Sequence, residues 1–271
     1  MRKAAVNDPV FERLITGHDE ITHNILFRIR ESACADVWTD DDACVMAQSS
    51  PSTHVWVALR RAPDDALCEE IAEHAVHALT VNPDVGVTIN EALGAGVLTL
   101  VERALSRARR TVMPMVAYGC FQTSDIPVSG AADIPSEGDR AAMASLVGQL
   151  SLECEGTALT AEQADDFARA HVGSDRLLLW RDGGRVVAMA RLAHQTERYA
   201  RIATVVTDRA FRNRGYAGMV VRAFSDRLLA RGVTPMLYAD ARNPASNRAY
   251  QRIGFVETGR VTNFAFAAGD K

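Results

Sequence analysis

At 271 residues the chain has room for one large or two modest domains with ample core. Hydrophobic residues make up 48% and charged residues 24%, with no apolar run long enough to span a membrane. The net charge of −4 is uneven: residues 1 to 126 carry 11 basic and 18 acidic side chains, whereas 127 to 271 carry 19 and 16. The second half alone is positive, without the clustered charge that a nucleic-acid surface needs.

Met1 to Pro9 has no apolar core of signal-peptide length, which predicts no export. Cys34, Cys44, Cys68, Cys120 and Cys154 are odd in number and scattered, so neither a disulfide framework nor a zinc site is expected, and a reduced, cytoplasmic setting fits.

In chain order, Pro9 to Thr16 and Ile21 to Arg30 read as two helices, the second with Ile21, Ile25, Leu26 and Ile29 on one stripe. Asp36 to Asp42 reads as an acidic turn, a solvated loop in preference to a metal site. Ala43 to Gln48 and His54 to Leu59 predict a hairpin across Ser49 to Thr53. Asp64 or Asp65 caps a helix to Leu79 with Leu67, Ile71, Ala75, Val76 and Leu79 inward. His74 and His77 share one side of it but lack a third ligand, so no metal is expected. Val85 to Ile89 reads as a strand, Glu91 to Arg109 as a helix and Thr111 to Tyr118 as a strand.

Phe121 to Pro135, broken by Pro127, Gly130 and Pro135, is the expected connection, with a short strand within 128 to 134. Two helices follow, Glu137 to Cys154 and Ala158 to His171, the latter capped by Thr160. Leu177 to Trp180 and Arg185 to Ala193 form a hairpin over Asp182-Gly183-Gly184. Tyr199 to Thr207 is the next strand. A helix then ends at Gly232, and Pro235 forbids its continuation. Met236 to Ala239 and Glu257 to Phe266 complete the strands.

Two stretches carry chemistry. In the first, the β-branched run Ala203 to Thr207 leads into Arg212-Asn213-Arg214-Gly215-Tyr216-Ala217-Gly218 and a helix with Val220, Val221, Phe224 and Leu228 inward. A glycine turn and small residues leave the first helix amides bare, and those amides, the helix dipole and two arginines suit an anion such as pyrophosphate. In the second, Asn243 caps a short helix, Pro244 occupies its first turn and Gly254 stops it. Ala245, Ala249 and Ile253 form one side, while Asn243, Asn247 and Tyr250 lie on an adjacent polar one. Tyr250 is either a half-buried packing residue or a proton donor.

These two stretches, in this order and at this spacing, resemble the GNAT superfamily of acyl-CoA-dependent N-acetyltransferases. The resemblance covers residues 128 to 266 by motif and the first half by element order only. It implies an α+β fold with a mixed, mostly antiparallel sheet flanked by helices, as two GNAT-like halves in tandem: a degenerate 1–126, whose Arg60 to Asp65 lacks the glycine, and a catalytic 127–271. It further implies that acetyl-CoA is held by the backbone of Val205, Val206 and Thr207, by the loop Arg212 to Gly218 and by Asn243, Asn247 and Tyr250, with Tyr250 as acid to the departing thiolate. Arg248 and Arg252 are candidates for the 3′-phosphate. Some family members carry a glutamate on the strand before the loop; Arg201 to Val206 has none. Glu153 and Glu155 are the alternative carboxylates, either at the acceptor site or in a solvated turn, and water is a further proton acceptor.

The expected activity is acetyl transfer to a primary amine of unidentified acceptor, by a monomer or homodimer with neither nucleic acid nor membrane as partner. The alternative is a non-catalytic acyl-CoA-binding or regulatory module.

Overall fold

The structure is a computed structural model that describes residues 1–154 and 156–266. The chain packs as two compact units that do not follow a single cut in sequence. The first takes Met1–Tyr118, Ala239–Asn243 and the described residues from Glu257 on; the second takes Gly119–Tyr238 and Pro244–Val256.

The first unit runs β1 (Arg2–Ala4), α1 (Val10–Leu14), α2 (His18–Thr22), α3 (Asn24–Ile29), β2 (Asp36–Thr39), β3 (Cys44–Gln48), β4 (Val55–Leu59), α4 (Asp65–Val81), β5 (Val87–Ile89), α5 (Ala95–Leu105) and β6 (Arg109–Cys120). Strands β1 to β4 pair antiparallel in sequence order, and β4 joins β5 in parallel through Val55↔Val87 and Trp56↔Thr88. The chain's last strand, β12 (Phe255–Phe266), pairs with β5 as Thr262↔Ile89. The expected domain 127–271 would place that strand in the other unit.

The pleat explains the two cores of this unit. Met46, Val55, Val57, Val87, Ile89 and Phe264 bury against Ile71, Leu79, Val97 and Leu98 of α4 and α5. Val45, Ala47 and Ala58, of opposite parity, bury against Phe11, Leu14, Leu26 and Ile29. Leu67 and Val76 are only partly buried beside α4's fully buried Ile71, Ala75 and Leu79.

Three local expectations change. The single helix over Ile21 to Arg30 is broken at His23 (φ −114°, ψ 23°), and the chain turns so that His23 and Asn24 are buried. Thr22 packs where a side chain on Gly259 would stand. The helix expected from Glu91 starts only at Ala95, because the Asn90 carboxamide first accepts the Leu93 amide, and it ends at Ser106 in the left-handed region (φ 51°). The acidic stretch 36–42 begins as a strand and continues as a clamp. The Asp40 carboxylate accepts the amides of Asp42, Ala43 and Cys44, Asp41 takes Arg2 and Arg13, and Asp42 takes Arg61.

Burial holds His23 down to about 4, and its Nδ1 has no partner among the described residues. Between that value and the ordinary 6.5 the unfolded chain binds the extra proton, so stability falls as pH drops through this window. The unfolding free energy should decrease by about 3 kcal/mol from pH 7 to pH 4 relative to His23→Gln. Parallel denaturation curves for the two proteins would disprove it.

The second unit holds β7 (Ala131–Asp133), α6 (Arg140–Cys154), α7 (Ala161–His171), β8 (Leu177–Asp182), β9 (Arg185–Gln195), β10 (Tyr199–Thr207), α8 (Tyr216–Leu229), most of β11 (Thr234–Asp240) and α9 (Pro244–Ile253). Its strand order is β11-β10-β9-β8-β7, antiparallel except for the parallel pair β10–β11. Gly183 and Gly184, both at positive φ, close the β8–β9 hairpin as its sequence requires. Thr160 and Gln163 form a reciprocal cap on α7. Met143, Leu146, Ala164 and Ala168 of α6 and α7 bury Leu177, Leu179, Met189 and Val206 of the sheet. Helix α8 packs against β8, β9 and β10 through a buried series that includes Val220, Val221, Phe224 and Leu228.

Candidate acyl-CoA site

Strand β10 begins in register with both neighbours and then leaves one of them. Its parallel pairing with β11 runs from Tyr199↔Thr234 to Arg201↔Met236, and among the described residues Ala203, Val206 and Thr207 are paired on the β9 side only. On that side the register shifts between Ala203 and Val206, a bulge that re-aims the strand. Within it Thr204 has φ 53°, a conformation that costs a β-branched residue of order 1–3 kcal/mol. The unpaired backbone edge falls on Val205, Val206 and Thr207. Val206 places its side chain in the core, so only its backbone is available. The Thr207 carbonyl accepts Gln149 Nε2 at 3.0 Å.

Beyond the strand, Asp208 caps a short 3₁₀ turn over Arg209–Phe211. Arg212 to Gly215 are exposed, Asn213 (φ 64°) and Gly215 (φ 83°) both being left-handed. The first bond of α8 is Met219 N–H to Gly215 C=O at 3.1 Å, so the amides of Tyr216, Ala217 and Gly218 have no acceptor within the helix. No side chain caps this end. The start of α4 differs, since there the Asp64 carboxylate accepts the Leu67 amide at 2.9 Å.

The loop is braced from beneath. Tyr216, buried, donates its hydroxyl to Asp182 in the β8–β9 turn, and that bond, then burial, raises its pKa. Arg185 and Arg214 lie over the Phe211 ring at 4.7 and 5.4 Å. Gln149 also accepts the Arg209 amide at 3.2 Å, tying α6 to the start of the loop. Gln149, Asp182 and Phe211 carry no motif signal; only their position in the fold reveals them.

Glu153 is committed to the loop. Its carboxylate pairs with Arg209 Nε at 2.6 Å and with Arg212. Burial alone would raise its pKa, but the hydrogen bonds from the two arginines hold it below the usual carboxylate range. A carboxylate so paired is a weak proton acceptor. Glu155 lies outside the described residues. Arg212 is thus partly neutralised by Glu153.

Helix α9 starts at Pro244, with Asn243 immediately before it in a turn whose amide donates to the Asp240 carbonyl at 3.0 Å. The expected apolar side is narrow, for Ile253 is buried whereas Ala245 is exposed. Ile253 lies beside α8, 3.8 Å from where a Cβ on Gly218 would stand. Gly254 (φ 111°) stops the helix, and a Cβ there would fall 2.3 Å from the Gln122 carbonyl. Asn247 is half-buried, and Arg248 and Arg252 are exposed. Tyr250 packs on Phe255 with the rings tilted and their centres 6.1 Å apart, and its hydroxyl has no hydrogen-bond partner among the described residues. Burial, with a smaller contribution from the nearby Cys154, pushes the phenol up to about 12. No cluster of metal ligands occurs among the described residues, and no helix there is long and apolar enough to cross a membrane.

Residues 144–255 match the family model described as acetyltransferase (GNAT) family. None of the curated proteins matches the chain. Among solved structures, it resembles a GCN5-related N-acetyltransferase from Sphaerobacter thermophilus at 18% identity and TM-score 0.68, over 100% of this chain and 96% of the other. It also resembles a GCN5-related N-acetyltransferase from Kribbella flavida, at 13% and 0.61 over 93% and 96%. A GNAT-family acetyltransferase from Colwellia psychrerythraea aligns at 13% and 0.58 over 98% and 100%. At these identities the likeness is one of fold, and it spans nearly the whole chain. The protein has the GNAT fold, and its residues 144–255 match the acetyltransferase model of the GNAT family.

Proposed function

We propose that this protein moves an acetyl group from acetyl-CoA to a primary amine. The observation that carries the reading is the uncapped start of α8 at the end of a strand that has left its parallel neighbour. The uncapped amides of residues 216 to 218 would receive the pyrophosphate, and the backbone edge of Val205 to Thr207 would pair with the pantetheine arm. Asn243 and Asn247 are the further contacts inferred from the resemblance. Gly215 fits this role, since its left-handed backbone opens the helix end and its bare Cα leaves room.

Acyl transfer also needs a donor for the departing thiolate and an acceptor for the amine's proton. Tyr250 is the donor in this reading, having a protonated hydroxyl not engaged elsewhere among the described residues. Glu153 braces Arg209 and Arg212, and water takes the amine's proton. The tandem organisation, a degenerate 1–126 beside a catalytic 127–271, is supported by the Asp64 carboxylate sitting where a ligand anion would bind at α4.

One acetyl-CoA per chain is therefore expected. Calorimetry on the full chain should give a stoichiometry near one, and two equivalent sites would refute the degenerate reading of the first half. Thiol release on adding acetyl-CoA and a panel of amines tests the chemistry. A second reading, an acyl-CoA-binding module without turnover, is favoured by the absence of a carboxylate on Arg201 to Thr207 and by the pairing of Glu153. Binding with no thiol release from any amine would select it.

A further inference from the structure

Three half-buried arginines of the second unit face carboxylates. Arg181 pairs with Asp139 at 2.8 Å, Arg140 with Asp165 at 2.6 Å and Arg222 with Asp125 at 2.9 Å. Arg191 differs. It stands on β9, two residues from Met189, and so on the side of the sheet that α6 and α7 cover; its guanidinium lies 5.9 Å from the ring centre of Phe167 on α7. Its Nε donates to Thr204 Oγ1 at 3.2 Å, and it has no carboxylate partner among the described residues. Burial, and then the like charge of Arg176, lowers its pKa, as befits a cation without a counter-ion.

The place of this cation matters as much as its isolation. Thr204 is the strained residue of the bulge, immediately before the backbone edge of Val205 to Thr207. Strain kept at such a point is a marker of function, and the residue bonded to it is fixed next to the proposed acyl-transfer site. A guanidinium with its Nε committed still presents its two terminal nitrogens, the fork that suits a carboxylate.

We propose that Arg191 receives a carboxylate of the acceptor, so that the substrate is an amino acid carrying both the reactive amine and a carboxylate. This rests on the acetyl-transfer reading above. In the step, the neutral amine forms the N–C bond to the acetyl carbon while the C–S bond breaks. The nitrogen releases one proton to water as it becomes an amide, and the thiolate gains one, leaving N-acetyl amino acid and CoA thiol.

The test uses the full-length protein with acetyl-CoA and a set of free amino acids, each against its own carboxamide, with thiol release as readout. The expected result is a kcat/KM about 100-fold or more higher for at least one amino acid than for its amide, since a site built around a charged partner rejects the analogue lacking it. Arg191→Gln should bring that ratio close to one, chiefly through KM, and Arg191→Lys should restore part of it. Calorimetric acetyl-CoA binding by each variant serves as the folding control. Turnover of amides as fast as amino acids, an unchanged ratio in Arg191→Gln, or turnover of amines but no amino acid would each overturn the proposal while leaving acetyl transfer intact. Loss of acetyl-CoA binding in the wild type would instead refute the acetyl-transfer reading itself.

Discussion

Gly215→Glu should abolish acetyl-CoA binding and leave the protein folded. Two effects act together. The residue sits at φ 83°, where a side chain costs roughly 1–2 kcal/mol. That amount lowers the melting temperature without unfolding a domain of this size. The new Cβ would be 3.6 Å from Met219 Cε, an ordinary contact, so no clash adds to it. The decisive effect is electrostatic. A glutamate at the helix start offers the free amides an internal acceptor, as Asp64 does at α4, and turns an attraction of about 0.3–2 kcal/mol for an anion into repulsion. Gly215→Ala separates these contributions, because it carries the backbone cost alone and should keep most of the affinity. Calorimetry gives the binding and circular dichroism the fold; normal acetyl-CoA affinity in the glutamate variant would remove the pyrophosphate assignment.

Tyr250→Phe should lower turnover by roughly 100-fold or more, the size of a lost hydrogen-bond donor to charge that develops in the transition state, with little change in CoA affinity. The ring keeps its contact with Phe255, so the fold should be unaffected. The shifted pKa refines the role. With the phenol near 12 and a thiol near 8.5, full transfer to the thiolate would be uphill by about 5 kcal/mol. Tyr250 therefore acts by hydrogen-bonding the developing thiolate, and solvent completes the protonation. Because its folded pKa is raised, the hydroxyl remains protonated through neutral and mildly alkaline pH, so wild-type kcat should show no loss from this group up to about pH 10. Equal turnover in the phenylalanine variant would return Tyr250 to packing.

Much of this was legible in the residues. Strand β10 runs from Tyr199 to Thr207, as its β-branched run and flanking turns predict, and the Asp182-Gly183-Gly184 hairpin, the Thr160 cap and the stops at Gly232 and Gly254 lie where their turn chemistry requires. These are local matters, decided by side-chain spacing, caps and backbone freedom within a few residues. The loop after β10 belongs with them, because a glycine before a helix exposes its amides wherever the chain places it.

What only the tertiary structure decided lies between distant residues. No spacing rule couples Thr262 to Ile89, yet that pairing puts the last strand in the first unit. Arg209 and Arg212 reach Glu153 across more than fifty residues and make a candidate base into a brace. Asp64 reads as a cap in sequence and is one in the structure, whereas the start of α8 has no side-chain cap. The bulge at Thr204 and the placing of Arg191 against it are set by register and burial, which depend on what packs against each strand and not on its own residues. Local propensity specifies an element and its ends; charge partners, register and desolvation arise only when the chain is brought together, because each depends on groups that sequence order leaves far apart.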